Sequence, residues 1–245
     1  MNALTRGFLN RKSCFGLVLE QLFLFRVFAL SFVLFSGFES AAQADNRFVN
    51  LVPNGSFEDR LWCPSNFTQN ELQTLRHWKQ PNAGTPDHFD VCGATGVTGV
   101  PNNVFGSQET VDGQGYAGVV LYSGSKPNYR EYLQVELTRA LGPGEWICAE
   151  WWVCAADEAR LITDGMGMHL SEAAPKATGE GRLEVIAQVE NPALHLLSDR
   201  WSWVKLSDAF QAKGGEQFVT LGNFKPASDL RVMERQDASM ESSRW

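Results

Sequence analysis

The chain has 245 residues, 21 Lys and Arg against 28 Asp and Glu, and a formal net charge of −7. That acidic balance argues against nucleic acid and against anionic lipid as partners. The length suits one β-sandwich or two small domains, and no Pro/Ser-rich linker or charge block divides it, so a single domain is expected.

The amino terminus carries Arg6, Arg11, Lys12 and Arg26, then an apolar stretch Val27–Phe38, then small residues ending in Ala42, Gln43 and Ala44. A basic region, a short apolar region and an A-x-A site are the parts of a secretory leader. They predict a signal peptide over 1–44 and a mature domain over 45–245. Phe15–Phe38 is long, but Glu20 and Arg26 interrupt it and leave the uncharged run short for a membrane span. Cleavage after Ala44 removes four of the 21 basic residues, leaving 17, and two of the 28 acidic ones, leaving 26, hence a mature charge of −9.

Cys14 leaves with the leader, and Cys63, Cys92, Cys148 and Cys154 remain. An even number in an oxidising compartment suggests disulfides. A bond between Cys63 and Cys92 would close a loop worth roughly 3 to 4 kcal/mol in the chain-entropy model. If Glu145–Cys154 is one strand, Cys148 and Cys154 stand roughly 20 Å apart, beyond disulfide reach. Each then pairs elsewhere or stays a buried thiol.

Along the mature chain the pattern is period two with turns rich in Gly, Pro and Asn. Thr68 and Glu71 have capping-box spacing and predict a short helical turn near 68–78. Asp87-His88-Phe89-Asp90, if extended, places His88 and Asp90 on one face, as a metal site or a general base would need. Without a third ligand or a nucleophile that pair is weak, and a solvated loop is the preferred reading. Gly113-Gln-Gly115-Tyr-Ala-Gly118 matches G-x-G-x-x-G, but a β-type run follows where a dinucleotide site needs a helix. It reads as a glycine turn feeding a strand.

Strands are predicted at Tyr116–Tyr122, Arg130–Leu137, Glu145–Cys154, Gly165–Ser171, Leu183–Val189, Ser202–Phe210 and Glu216–Phe224. Seven strands at this spacing point to an all-β sandwich or barrel. Alternation sorts their faces. Leu133, Val135 and Leu137 form a core face with Glu131, opposite Arg130, Tyr132, Gln134 and Glu136. Ile147, Ala149, Trp151 and Val153 form an apolar face, opposite Trp146, Cys148, Glu150, Trp152 and Cys154. Trp203, Lys205 and Ser207 oppose Val204 and Leu206.

Rings beside polar groups suit a sugar, whose apolar face stacks on an aromatic while its hydroxyls exchange hydrogen bonds. The candidate ligand-binding residues are Arg130, Tyr132, Gln134, Glu150, Trp152 and Trp203. The competing reading is that both faces of a sandwich strand are covered and these rings are core. No catalytic residues are assigned: His77, His88, His169 and His195 are scattered, and neither an HExxH nor a G-x-S-x-G pattern occurs. Asn54-Gly-Ser56 and Asn66-Phe-Thr68 are glycosylation sequons, meaningful only in a eukaryotic secretory route.

Asn50-Leu-Val-Pro-Asn-Gly-Ser-Phe-Glu58, directly after a leader, resembles the opening strand of galactose-binding-like jelly rolls, the fold of many carbohydrate-binding modules. Cys63-Pro64, Trp78, Gly84-Thr-Pro-Asp-His-Phe-Asp-Val-Cys92, Val100-Pro-Asn-Asn-Val-Phe-Gly106, Tyr116-Ala-Gly118, Asn128-Tyr-Arg-Glu-Tyr-Leu-Gln134 and Gly214-Gly-Glu-Gln-Phe-Val-Thr-Leu-Gly-Asn-Phe224 extend the likeness. Together they resemble the jelly-roll domain at the start of many exported gram-negative surface proteins, often followed by an OmpA-like domain. The resemblance implies a jelly roll, a Cys63–Cys92 bridge, a location in the periplasm, at the outer membrane or outside the cell, and a structural Ca2+ with Glu58 as one ligand. The final strand that would bring a second carboxylate has no counterpart, because Arg231–Trp245 is polar.

The leading expectation is therefore a non-catalytic, exported module that binds glycan or cell-wall polysaccharide, and that is not an integral membrane protein once its leader is gone. A structural module docking another envelope protein is the alternative. A glycan-active enzyme comes third.

Overall fold

The computed structural model describes residues 2–10, 49–67 and 71–235. Among the described residues thirteen strands run in chain order: β1 Asn2–Asn10, β2 Asp87–Asp90, β3 Asn102–Asn103, β4 Gly106–Ser107, β5 Gly115–Val119, β6 Tyr132–Glu136, β7 Trp146–Ala155, β8 Leu161–Thr163, β9 Gly167–Ser171, β10 Val189–Glu190, β11 Val204–Gln211, β12 Phe218–Gly222 and β13 Val232–Glu234. One 3-10 turn, Glu71–Thr74, falls inside the segment predicted to be helical.

Two antiparallel sheets dominate. One has the order β11-β7-β1-β5-β2 and the other β10-β9-β12-β6, with β13-β8 and β3-β4 as two-stranded ribbons. The chain is an all-β sandwich, because the inward faces of both sheets meet in one apolar cluster. Ile147, Ala149, Trp151 and Val153 of β7 and Ala117 and Val119 of β5 supply one side. Leu133 and Val135 of β6, Met168 and Leu170 of β9, and Val219 and Leu221 of β12 supply the other. These are the faces that alternation selects, since a one-residue slip would turn each strand's whole apolar set outward.

The forecast strands hold with two exceptions. Leu183–Val189 joins a ladder only at Val189–Glu190. Its period-two pattern is nevertheless used, because Leu183, Val185 and Ala187 pack against Tyr132 and Phe224 as irregular cover over the outer face of β6. Asn50–Glu58 is a turn rather than an opening strand: Asn54 and Phe57 hold positive φ values of 51° and 64°, and Asn54 Nδ2 donates to Asp59 O and Arg76 O. That use of the amide also argues against Asn54 as a glycan acceptor.

Three short elements go beyond the reading. Asp87–Asp90 is a fully buried strand, not a solvated loop, because it pairs with β5 in register Phe89 with Tyr116. Val232–Glu234 pairs with β8 inside the stretch judged too polar for a strand. Asn2–Asn10 lies between β5 and β7 although it falls in the predicted leader. The apolar run Val27–Phe38 and the expected cleavage site lie outside the described residues.

Cys63 and Cys92 are bonded across 29 residues of sequence, with Cα atoms 5.5 Å apart. Cys148 is also disulfide-bonded. Cys154 is a buried free thiol whose S–H donates to Gln108 Oε1 at 2.9 Å. Burial pushes that thiol up to about 12, so it is inert as a nucleophile at neutral pH.

The Cys63–Cys92 bridge closes the loop from the turn region to the end of β2. Cys63→Ala/Cys92→Ala should cost about 3 to 4 kcal/mol of unfolding free energy, measured by denaturant titration. A loss below about 1 kcal/mol would show that the loop is held by its other contacts.

Candidate functional site

The six candidate ligand residues divide between two opposite outer faces. Arg130, Tyr132 and Gln134 belong to the β6 side, and each is buried and hydrogen-bonded, although Arg130 Nε has no partner. Arg130 is 1% exposed, its Nη1 donates to Pro127 O and Tyr129 O, and its guanidinium lies over the Tyr122 ring at 5.3 Å. The Tyr132 hydroxyl donates to Asn223 O and accepts from Leu183 N, its ring stacks on Phe224, and burial pushes the phenol up to about 12. Gln134 Nε2 donates to Pro175 O and Thr220 Oγ1. These side chains pin the cover segment to the sheet. Gly222 stands opposite Tyr132, and a Cβ there would lie 2.3 Å from the ring, so the glycine makes room for it.

Glu150, Trp152 and Trp203 lie on the outer side of the larger sheet. β11 pairs with β7 along eight residues, setting Lys205 opposite Trp152 and Ser207 opposite Glu150. Lys205 Nζ approaches Glu150 Oε1 to 3.5 Å. Both partners are partly solvated, so the pair contributes little to stability; it holds a cation and a carboxylate beside the half-buried Trp152 ring. Trp146, on the same face of β7, is 50% exposed. Six residues of strand separate it from Trp152, roughly 20 Å.

Trp203, just before β11, packs edge-on against Tyr116 with ring centroids 5.7 Å apart. Its Nε1 donates to Glu109 O. Beyond it, Phe89, Tyr116 and Phe105 continue the aromatic cluster. A cleft beside them is lined by Asn103, Gln108 and Asp157. The sequence reading missed Tyr116 and this loop. The outward position of Tyr116 is legible from alternation in Tyr116–Tyr122, but the approach of Asn103 to its hydroxyl, 2.7 Å, depends on long-range packing.

His88 and Asp90 do share a face of β2, as extension requires. They form a closed structural cluster: Arg60 Nη1 meets Asp90 Oδ2 at 3.1 Å, and Thr74 Oγ1 meets His88 Nδ1 at 2.6 Å. His88 is completely buried. Burial, helped by Arg60, holds its pKa down from 6.5 to about 3, so the ring is neutral at physiological pH.

Glu58 is engaged by backbone. Its carboxylate accepts from Gln114 N and Gly115 N, clamping the glycine turn that feeds β5. Gly113 holds φ at 69°, and a Cβ there would meet Glu58 Oε1 at 2.3 Å, which accounts for that glycine without a nucleotide. The described residues contain no group of three or more His, Cys, Asp or Glu that could hold a metal.

Because His88 binds a proton more readily in the unfolded chain, stability is full above pH 6.5 and is lost as pH falls from 6.5 toward 3. The loss should reach about 3 kcal/mol by pH 4. His88→Gln should flatten that part of a stability profile measured by urea unfolding at successive pH values. An unchanged slope would assign the acid lability elsewhere. In comparisons with protein-family models, curated proteins and solved structures, no match to this chain is found.

Proposed function

We propose that the protein is a non-catalytic, exported glycan-binding module that uses the outer face of β7 and β11. The observation that carries this reading is the partly exposed Trp152 ring flanked by the Lys205–Glu150 ion pair, with Trp203 and Trp146 on the same side of the sheet. A pyranose stacks its apolar face on such a ring while a carboxylate and an ammonium exchange hydrogen bonds with its hydroxyls. The spacing of Trp146 and Trp152 along one strand suits an extended polysaccharide chain better than a single sugar. The galactose-binding-like jelly-roll resemblance of 50–224 supports the same reading, as does the acidic mature surface, which disfavours polyanions.

A second reading, a module that docks another envelope protein, is favoured by one observation, the strand slot between β5 and β7 described below. A glycan-active enzyme stays third, because the Glu150 carboxylate beside Trp152 is engaged by Lys205.

In affinity gel electrophoresis against soluble cell-wall and plant polysaccharides, the full chain should be retarded by at least one polymer. Trp152→Ala should weaken that retention about tenfold. Retardation by none of the polymers would remove the proposal. Retardation unaffected by Trp152→Ala and Trp203→Ala would move the site off this face.

A further inference from the structure

The middle of the larger sheet is filled by a segment that the leader reading assigns to removal. β1 runs antiparallel to both neighbours, pairing Asn2–Leu4 with Val119–Ala117 of β5, and Asn2–Leu4 and Gly7–Asn10 with β7. The opposite edges of the walls are already taken, β7 by β11 and β5 by β2. Every residue of β5 is buried. Two strands flanking a third stand roughly 9.6 Å apart, too far to bond to each other. An emptied slot therefore leaves buried backbone donors and acceptors facing one another unpaired, each costing about 1 to 3 kcal/mol.

The occupant is held unevenly. It pairs with only three residues of β5, and its register on β7 shifts between Leu4 and Gly7. Along the sequence it joins the rest of the sandwich through the predicted cleavage point after Ala44. A second segment comes near the same mouth: Arg235 N donates to Arg160 O and its Nη1 to Ala156 O, beside Ala155, where Asn2 enters. The stretch from there on, 236–245, carries Asp237, Glu241 and Arg244 and no alternating apolar set, a poor match to buried walls.

We infer that the slot between β5 and β7 is a strand-acceptor site whose occupant is the Asn2–Asn10 segment, detachable from its own sheet and able to enter from a second chain. This is β-strand complementation: main-chain hydrogen bonds give affinity, and burial of both walls enforces occupancy. The inference stands on strand pairing and is independent of the glycan reading.

Cys154 supplies the test, because Ala3 lies directly opposite this free buried thiol. Paired residues of antiparallel strands have Cα atoms about 4.5 to 5.5 Å apart, inside the disulfide window. In the full chain carrying Ala3→Cys, oxidation under alkaline conditions, which raise the thiolate fraction of both cysteines, should link positions 3 and 154 in most molecules, read as a joined peptide by mass spectrometry. The link should vanish when Cys154→Ser is added. No link above that background overturns the placement. In trans, the unaltered full chain is refolded with a tenfold excess of a residue 2–10 peptide carrying Ala3→Cys, and oxidised only after refolding. An adduct at Cys154, at least tenfold above that from a residue 236–245 peptide carrying Ala238→Cys, is expected. No adduct, or equal adducts from both peptides, overturns the acceptor site.

Discussion

The structure depends on the two-sided pairing of β7. Eight of its ten residues pair with β11 on one side and seven with β1 on the other, so its register fixes both surfaces of the larger sheet at once. Trp151 is 1% exposed in the core, and the adjoining Trp152 must then face outward beside Lys205. A slip of one residue would bury Glu150 and expose Trp151, exchanging a half-solvated carboxylate for a buried one at a cost of several kcal/mol. The same register that packs the sandwich therefore exposes the ring, the cation and the carboxylate.

Much of this was legible because it follows from period two. The core faces of β6, β7 and β12, the glycine turn before β5 and the helical turn near Glu71 are all local patterns. Alternation separates two faces of one strand but does not say what lies over the outer face. Tyr132 and Trp152 look alike in sequence, each a ring among polar neighbours. Only the fold shows that Leu183, Val185 and Ala187 cover Tyr132, whereas Trp152 on the larger sheet stays partly exposed. Asp87–Asp90 was misjudged for a related reason: Asp90 and His88 are buried against Arg60 and Thr74, which are distant in sequence.

The middle of the larger sheet is where sequence and fold pull apart. By composition Asn2–Asn10 is expected to open a leader, whereas by pairing it is a strand of the sheet. Both hold if the segment serves the sheet until it is replaced, as central positions demand a strand but not a particular covalent connection. Such a site would join the glycan face to an assembly role, since the β7 strand that carries Trp152 is also one wall of the slot.

Glycan binding at the outer face of β7 and β11 can be followed through tryptophan indole N–H resonances during titration with a soluble oligosaccharide of the retained polysaccharide. The indole signals of Trp152 and Trp203 should shift with a common saturation curve while that of Trp151, enclosed in the core, stays in place. Saturable binding that leaves Trp152 and Trp203 unmoved would contradict the claim.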